Sequence, residues 1–288
     1  MAKTRAIVKR RNAVRNIRKI TRTMELIATA RFRKAMERAQ QAEAFTRRIA
    51  DLVADIGASA SSLDHPLLKA RPVVRSSALV VLTANRGLCG GFNANVARLA
   101  QKRREMLAEF GPVHVEISGK RGANFFRYRQ IPVAEVYTHF EDKPAYAEVE
   151  PIANRLLDQY LDGSFDRLDV AYTRFVSMGR QVAEVATLLP FAGAAEEQAE
   201  RKPVQYLFTP SADDILNELV PASFKIRLFK CFLDSAVSEQ IARMVAMKGA
   251  TENAGNLLRE LTMQYNRARQ SQITGELAEI IGTAEALK

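Results

Sequence analysis

All ten prolines of this 288-residue chain fall between Pro66 and Pro221. Proline inside a helix removes a backbone donor and clashes with the preceding turn, so both ends of the chain can run as long uninterrupted helices. The middle must be built from shorter elements.

The two ends carry matching periodicities. In the first segment, Ile7, Val14, Thr21, Ala28, Ala35, Ala42, Ile49 and Ile56 recur every seven residues. Ile17, Met24, Phe45 and Leu52 repeat three residues later, interrupted by Arg10, Arg31 and Arg38. Ile20 and Ile27 add to the apolar helical spacing. In the last segment, Leu233, Val237, Met244, Met247, Ala254, Leu258, Leu261, Tyr265 and Ala268 follow a coiled-coil spacing of three and four. Gly249, Gly255, Gly275 and Gly282 weaken that helix by up to about 1 kcal/mol each relative to alanine, so it calls for a partner.

Helices of about 55 to 65 residues would reach roughly 80 to 100 Å at 1.5 Å per residue. An antiparallel pair made from the two chain ends, with a globular middle domain at one end, is the economical solution. The expected divisions are an N-terminal coiled-coil helix over 1–64, an α/β domain over 65–210, and a short helix plus the C-terminal coiled-coil helix over 211–288.

The middle reads as α/β. "SALVVLT" (77–83) is a buried-strand run, "GLCGG" a turn, and Asn93 a helix cap ahead of Val96, Leu99, Arg103 and Leu107. "VHVEIS" from Val113 and "VAEVYTHF" from Val133 read as strands, followed by a helix around Tyr146 to Leu161. "LDVAYTRFVS" and "QVAEVATLLP" suggest a hairpin about Met178 and Gly179. Strands alternating with helices imply a mostly parallel, Rossmann-like sheet. Ala192 to Arg201 is acidic and alanine-rich and reads as a surface loop.

Charge is concentrated at one end. The first 50 residues hold 15 Lys or Arg against 3 Glu, a balance of +12, so the other 238 sum to −1 within the total of +11. Such a basic helix is a candidate for nucleic-acid binding through phosphates. No reading motif accompanies it, however, and only Phe32 and Phe45 are aromatic there. A solvated face and a protein partner are the competing readings. A transit peptide is disfavoured because the pattern continues past residue 50.

Enzymatic chemistry finds little footing. Gly87, Gly90 and Gly91 follow a strand and precede a helix, where a phosphate loop would lie, but their spacing fits no nucleotide-binding fingerprint and a tight turn is the simpler reading. Cys89 lacks a His or acid nearby in sequence, and His65, His114 and His139 stand singly. Asp213 and Asp214 read as first-turn acids of a short helix. Cys89 and Cys231 form neither a disulfide framework nor a metal motif, which fits a reducing compartment. No apolar run reaches the roughly 18 to 20 residues of a membrane span, so a soluble chain is expected.

Four stretches carry a resemblance. "IRKITRTMELIATARFRKA" (17–35), "RGLCGGFN" (86–93), "QYLFTP" (205–210) and the run from Ser238 to Leu287 are similar, in order and spacing, to the signatures of the gamma subunits of rotary F-type ATP synthases. The resemblance implies a non-catalytic central shaft, without cofactor or metal, that couples ion flow through a membrane ring to the conformational cycle of catalytic beta subunits. Its implied partners are the alpha and beta subunits of the hexamer, the epsilon subunit and the membrane c-ring. Neither nucleic acid nor a membrane span is implied. The implied location is peripheral, on the cytoplasmic face of a bacterial inner membrane.

By motif match, Arg269 and Gln270 in "ARQSQIT" would meet an acidic catch loop of a beta subunit, with Thr274 and Glu276 in support. Met24 would face the lower lip of beta, and Tyr206 and Thr209 would belong to the foot facing the ring. Apolar residues Ile273, Leu277, Ile280 and Ile281 would turn within a surrounding sleeve. The sequence departs from the family pattern at Asn85 and Thr209, where acids are usual, and at Gln272 and Gly275 in the tip. The cysteine-bearing insertion of plastid members is absent, so thiol control is not expected.

Overall fold

The computed structural model describes residues 2–59, 66–67, 71–140, 143–191 and 212–286. Tyr206, Thr209, the rest of "QYLFTP", His65 and the Ala192–Arg201 stretch lie outside the described residues. The chain divides into two compact units, one of residues 1–29 with 243–288 and one of residues 30–242. Two long helices contribute to both: α1 (Ala2–Ser59, 58 residues) and α5 (Ala212–Ala286, 75 residues).

The larger unit is built on a five-stranded sheet of β1 (Ser77–Leu82), β2 (Val113–Ser118), β3 (Glu135–Tyr137), β4 (Arg167–Ser177) and β5 (Arg180–Leu189). The order is β3-β2-β1-β4-β5, with only β5 antiparallel. Every residue of β1 is buried, as expected for a central parallel strand covered on both faces. Leu79 and Val81 face α2 (Phe92–Ala108) and α3 (Lys120–Tyr128), meeting Val96, Ala100 and Phe126. Ala78, Val80 and Leu82 point the other way, into a core with Ile152 and Leu156 of α4 (Tyr146–Leu161), Phe224 and Leu228 of α5, and Ile49 of α1. The result is the expected α/β domain, mostly parallel, with β4 and β5 joined at Met178–Gly179.

Three local expectations are corrected. The N-cap of α2 is Gly91, whereas Asn93 lies inside the first turn and its side-chain oxygen accepts the Ala84 N–H at 2.8 Å. Helix α3, between β2 and β3, carries too short a pattern to announce itself. Asp213 and Asp214 begin no separate short helix. They stand in the first turn of α5, which continues through Pro221 to Ala286. Asn217, whose carbonyl loses the Pro221 donor, is exposed to water, which limits the cost of that break.

The smaller unit is the antiparallel helix pair expected from the two chain ends. Thr21 meets Thr251, Arg11 lies over the Tyr265 ring, and Thr4 reaches Gln272, so numbers rise on α5 as they fall on α1. Val14 packs with Ala254 and Leu261, flanked by Ile7, Leu257 and Leu258. The predicted α5 series is buried or half-buried throughout, from Leu233 to Ala268.

On α1 the first predicted column holds: Val14, Thr21, Ala28, Ala35 and Ile49 are buried, and Ile7 and Ala42 half-buried. In the second column Ile17 is 52% exposed while Met24 and Arg31 are half-buried, and the side chains of Phe45 and Leu52, like that of Ile56 in the first column, lie outside the described part. Ile20 and Ile27, outside both columns, are exposed by 58% and 47%. A further column four positions after the first also borders the seam, with Phe32 buried, Arg11, Glu25 and Ala39 half-buried, and Arg18 exposed. In the smaller unit, charged residues fill this further column. Arg11 covers the seam with its apolar stem and places its guanidinium 4.9 Å from the Tyr265 ring centre. Glu25, with a side chain 12% exposed, pairs with Arg22 at 2.8 Å. In the larger unit the column turns apolar, and Phe32 and Ala35 pack against Val237 and Ile241.

Candidate partner-contact surface

Toward the end of the α1–α5 pair, Thr4 donates to the Gln272 side-chain oxygen at 3.4 Å. Beyond Gln272, every residue of α5 from Ile273 to Ala284 is exposed. Four of them are large and apolar: Ile273, Leu277, Ile280 and Ile281, at 48% to 64% exposure. Helical periodicity sorts this end into two rows. Arg269, Ile273, Glu276 and Ile280 share one face, while Gln270, Thr274, Leu277 and Ile281 share the next, directed away from the seam residues Leu261, Tyr265, Ala268 and Gln272. Glu276 accepts a hydrogen bond from the Gln272 side chain at 2.9 Å, which ties the last seam position to the exposed row.

Arg269, Gln270, Thr274 and Glu276 therefore lie within two turns of one helix. Met24 does not join them. It stands on α1 near the level of the Thr21–Thr251 contact, about 30 Å along the pair from Arg269 by helix rise. An exposed apolar surface rimmed by polar groups has the chemistry of a protein contact. The sequence pointed to these residues through motif match and apolar spacing. It gave no signal for the groove beside them, in which Thr4 and Ile7 face Arg267, Ser271 and Gln272.

The glycine loop is a structural turn. Leu88 and Gly90 have positive φ, of 64° and 56°. Cys89 is buried with Ala84 and Phe92, and its sulfur receives an Asn93 amide hydrogen bond at 3.1 Å. Its thiol also faces the Arg86 carbonyl at 3.9 Å, which fits a buried structural cysteine. Among the described residues no group of His, Cys, Asp and Glu could hold a metal ion.

Three buried carboxylates of the larger unit are matched by cations or donors. Asp169 is fully buried between Arg103 at 2.6 Å and Arg167 at 3.0 Å. Glu116 accepts from Arg155 and from the Tyr137 hydroxyl, both at 2.7 Å, and burial followed by that hydrogen bond raises the Tyr137 pKa well above its ordinary value. Burial alone would raise the pKa of Asp166, but the N–H groups of Arg75 and Ser76 and the Arg71 guanidinium outweigh it and hold the carboxyl below its usual range. These networks tie β2 and β4 to the helices and loops beside them.

A family model described as ATP synthase matches residues 3–287. An ATP synthase gamma chain from Rhodopirellula baltica is 52% identical, with both chains covered in full. This chain belongs to the ATP synthase gamma chain family. Another gamma chain, from Leptospira biflexa, is 37% identical, again over the full length of both. Among solved structures, a chain from the Euglena gracilis mitochondrial ATP synthase, in an OSCP/F1/c-ring assembly, superposes with a TM-score of 0.69 at 18% identity, covering 99% of this chain and 95% of its own. A Tetrahymena thermophila central stalk/c-ring structure gives 0.59 over 80% of this chain and 99% of its own, also at 18% identity. The structural likeness speaks to fold alone.

A gamma chain is a non-catalytic subunit of the synthase. The nucleic-acid reading of the basic helix finds no support in these relatives. No helix among the described residues is long and apolar enough to cross a membrane.

Proposed function

We propose that this chain is the central rotor shaft of an F-type ATP synthase, coupling ion flow through a membrane ring to the conformational cycle of the catalytic beta subunits. The observation that carries the reading is full-length identity of 52% with a gamma chain. The exposed end of α5 supports it, because the bare rows beyond Gln272 differ in chemistry around the helix.

That difference is what a shaft needs. An effector shifts an equilibrium only through unequal interaction with the two states. A helix end with Arg269 and Glu276 on one row and Gln270 and Thr274 on another meets chemically identical beta subunits unequally at any angle. Arg269 and Gln270 are the proposed contacts to an acidic beta loop, where the guanidinium fork suits a carboxylate. Ile273, Leu277, Ile280 and Ile281 supply weakly directional apolar contact, which allows sliding. Met24 is proposed at a second moving contact, and Tyr206 and Thr209 at the foot. Residues 65–210 would form the lobe toward the epsilon subunit and the c-ring, placing the chain peripherally on the cytoplasmic face of the bacterial inner membrane.

The test is co-expression with alpha and beta subunits and with the epsilon subunit and membrane sector of the same enzyme. The expected result is one copy of this chain per hexamer and ATP-driven ion pumping that requires it. Pumping that is equal without the chain would overturn the reading.

A further inference from the structure

β4 leaves β1 after Ala171, and from Tyr172 to Glu184 the β4–β5 pair continues as a two-stranded ribbon. The ribbon lies on α5. The Ser238 hydroxyl donates to the Thr173 carbonyl at 3.3 Å, and Phe175 packs against a cluster of Val237 and Ile241 with Phe32 and Ala35 of α1. Asp234 precedes Val237, Ser238 and Ile241 by three, four and seven residues, so it stands on the same face of α5, at the root of the ribbon.

Asp234 is 5% exposed, yet its contact with Lys230 Nζ is 3.9 Å, too long for a hydrogen bond. Charged and titratable groups face it from each element packed there: Glu43 on α1, Tyr172 and Arg174 on β4, Glu184 on β5, and Arg227, Lys230 and Cys231 on α5. The other cations are engaged. Arg174 holds Glu184 at 2.8 Å, which also accepts the Tyr172 hydroxyl at 2.8 Å, and Arg227 lies over the Phe191 ring at 4.6 Å. Burial raises the Tyr172 hydroxyl well above its ordinary range and the Cys231 thiol to about 12, so both stay neutral. Charge at this spot therefore changes through a carboxyl group. An ionised Asp234 here is poorly solvated and poorly paired, and lifting the ribbon is the shortest way to bring water to it.

We infer that Asp234 is a proton-sensitive latch: protonated, it lets the ribbon of residues 172–184 seat on α5, and ionised, it loosens that seat. Burial sets its pKa at about 6, against 3.8 in water, so the latch closes as pH falls through 6. The latch does not depend on the rotor-shaft reading.

Amide hydrogen exchange of the full chain at pH 5 and pH 8, corrected for the pH dependence of intrinsic exchange, tests the latch. At pH 8 the ribbon amides from Thr173 to Val182 should exchange well ahead of those of β1, because the ribbon lifts without global unfolding. Their protection should be about tenfold higher at pH 5, the ratio set by proton binding to the seated form. In Asp234→Asn protection should be high and equal at both pH values.

Ribbon amides as protected as those of β1 at pH 8 would overturn the latch, since the ribbon would then open only with the whole chain. Equal ribbon protection at pH 5 and pH 8 in the unaltered chain would overturn it too, and that comparison stands even if the variant fails to fold. A tenfold pH dependence that survives Asp234→Asn would assign the proton to another group and likewise overturn it.

Discussion

The hydroxyls of Thr21 and Thr251 lie 2.8 Å apart, joining α1 and α5 across 230 residues of sequence. Each also has a backbone acceptor on its own helix, Arg18 O at 3.1 Å for Thr21 and Met247 O at 2.8 Å for Thr251. The pair is a polar register mark between the small buried residues Val14, Ala28 and Ala254. Thr251→Val keeps the shape and removes the hydroxyl. It should cost about 1 kcal/mol in chemical denaturation, with the slope of the transition unchanged.

The position of the seam makes a sharper prediction. Ala28 is fully buried, whereas Ile20 is 58% exposed. Ala28→Leu should destabilise by about 1 to 3 kcal/mol through overpacking, while Ile20→Gln should stay within about 0.5 kcal/mol of the unaltered chain. The opposite order would place the contact on the Ile17 and Ile20 side of α1.

That contrast also marks how far the sequence could be read. The Val14–Thr21–Ala28 column was legible because it is small and apolar on a strict seven-residue repeat. Its companion, Arg11, Arg18 and Glu25, was not, because a search for apolar periodicity overlooks the methylene stems of charged residues. β1 announced itself as a continuous apolar run, and α4 through regular burial of Val149, Ile152, Leu156 and Tyr160. Helix α3 has only nine residues, too few for a period to emerge. The ends of α5 rows were predicted through motif match, but the bonds of Asn85 to the Thr138 and Phe140 carbonyls span 53 and 55 residues and have no local signature.

Asp234 should leave a trace in the pH dependence of stability. Burial, aided by Glu43 and Glu184, raises its pKa from 3.8 to about 6 against the opposing pull of Lys230 and Arg174. Between about pH 4 and pH 6 the folded chain keeps a proton that the unfolded chain has released. Its contribution to stability therefore falls as pH rises through that window and stays low above it. Asp234→Asn should flatten this part of the curve and be more stable at pH 8 by up to about 3 kcal/mol, as measured by denaturation at a series of pH values.

Glycines of α5 and of the sheet edge should respond oppositely to alanine. A Cβ at Gly249 meets nothing within 4 Å, so Gly249→Ala should stabilise by about 0.5 to 1 kcal/mol. Gly119 has φ of +100°, and a Cβ there would lie 2.1 Å from the Thr83 carbonyl oxygen. Gly119→Ala should cost about 2 kcal/mol or more, and thermal melts of the two variants should move in opposite directions.

Met24 offers a functional check. Its side chain is only half-buried, so Met24→Lys should leave folding and assembly intact. In the synthase it should lower ions pumped per ATP hydrolysed, through a new ion pair with the surrounding collar. An undiminished ratio would remove Met24 from the moving contact.

Both cysteines are buried, and burial pushes the Cys231 thiol up to about 12, so almost none is thiolate at neutral pH. Cys89 is 1% exposed within the glycine turn. The folded chain thus offers a quiet background for thiol chemistry. A cysteine introduced at Ile281, exposed on the bare end of α5, would take a maleimide dye or crosslinker selectively without replacing either native residue, giving optical access to the part proposed to turn.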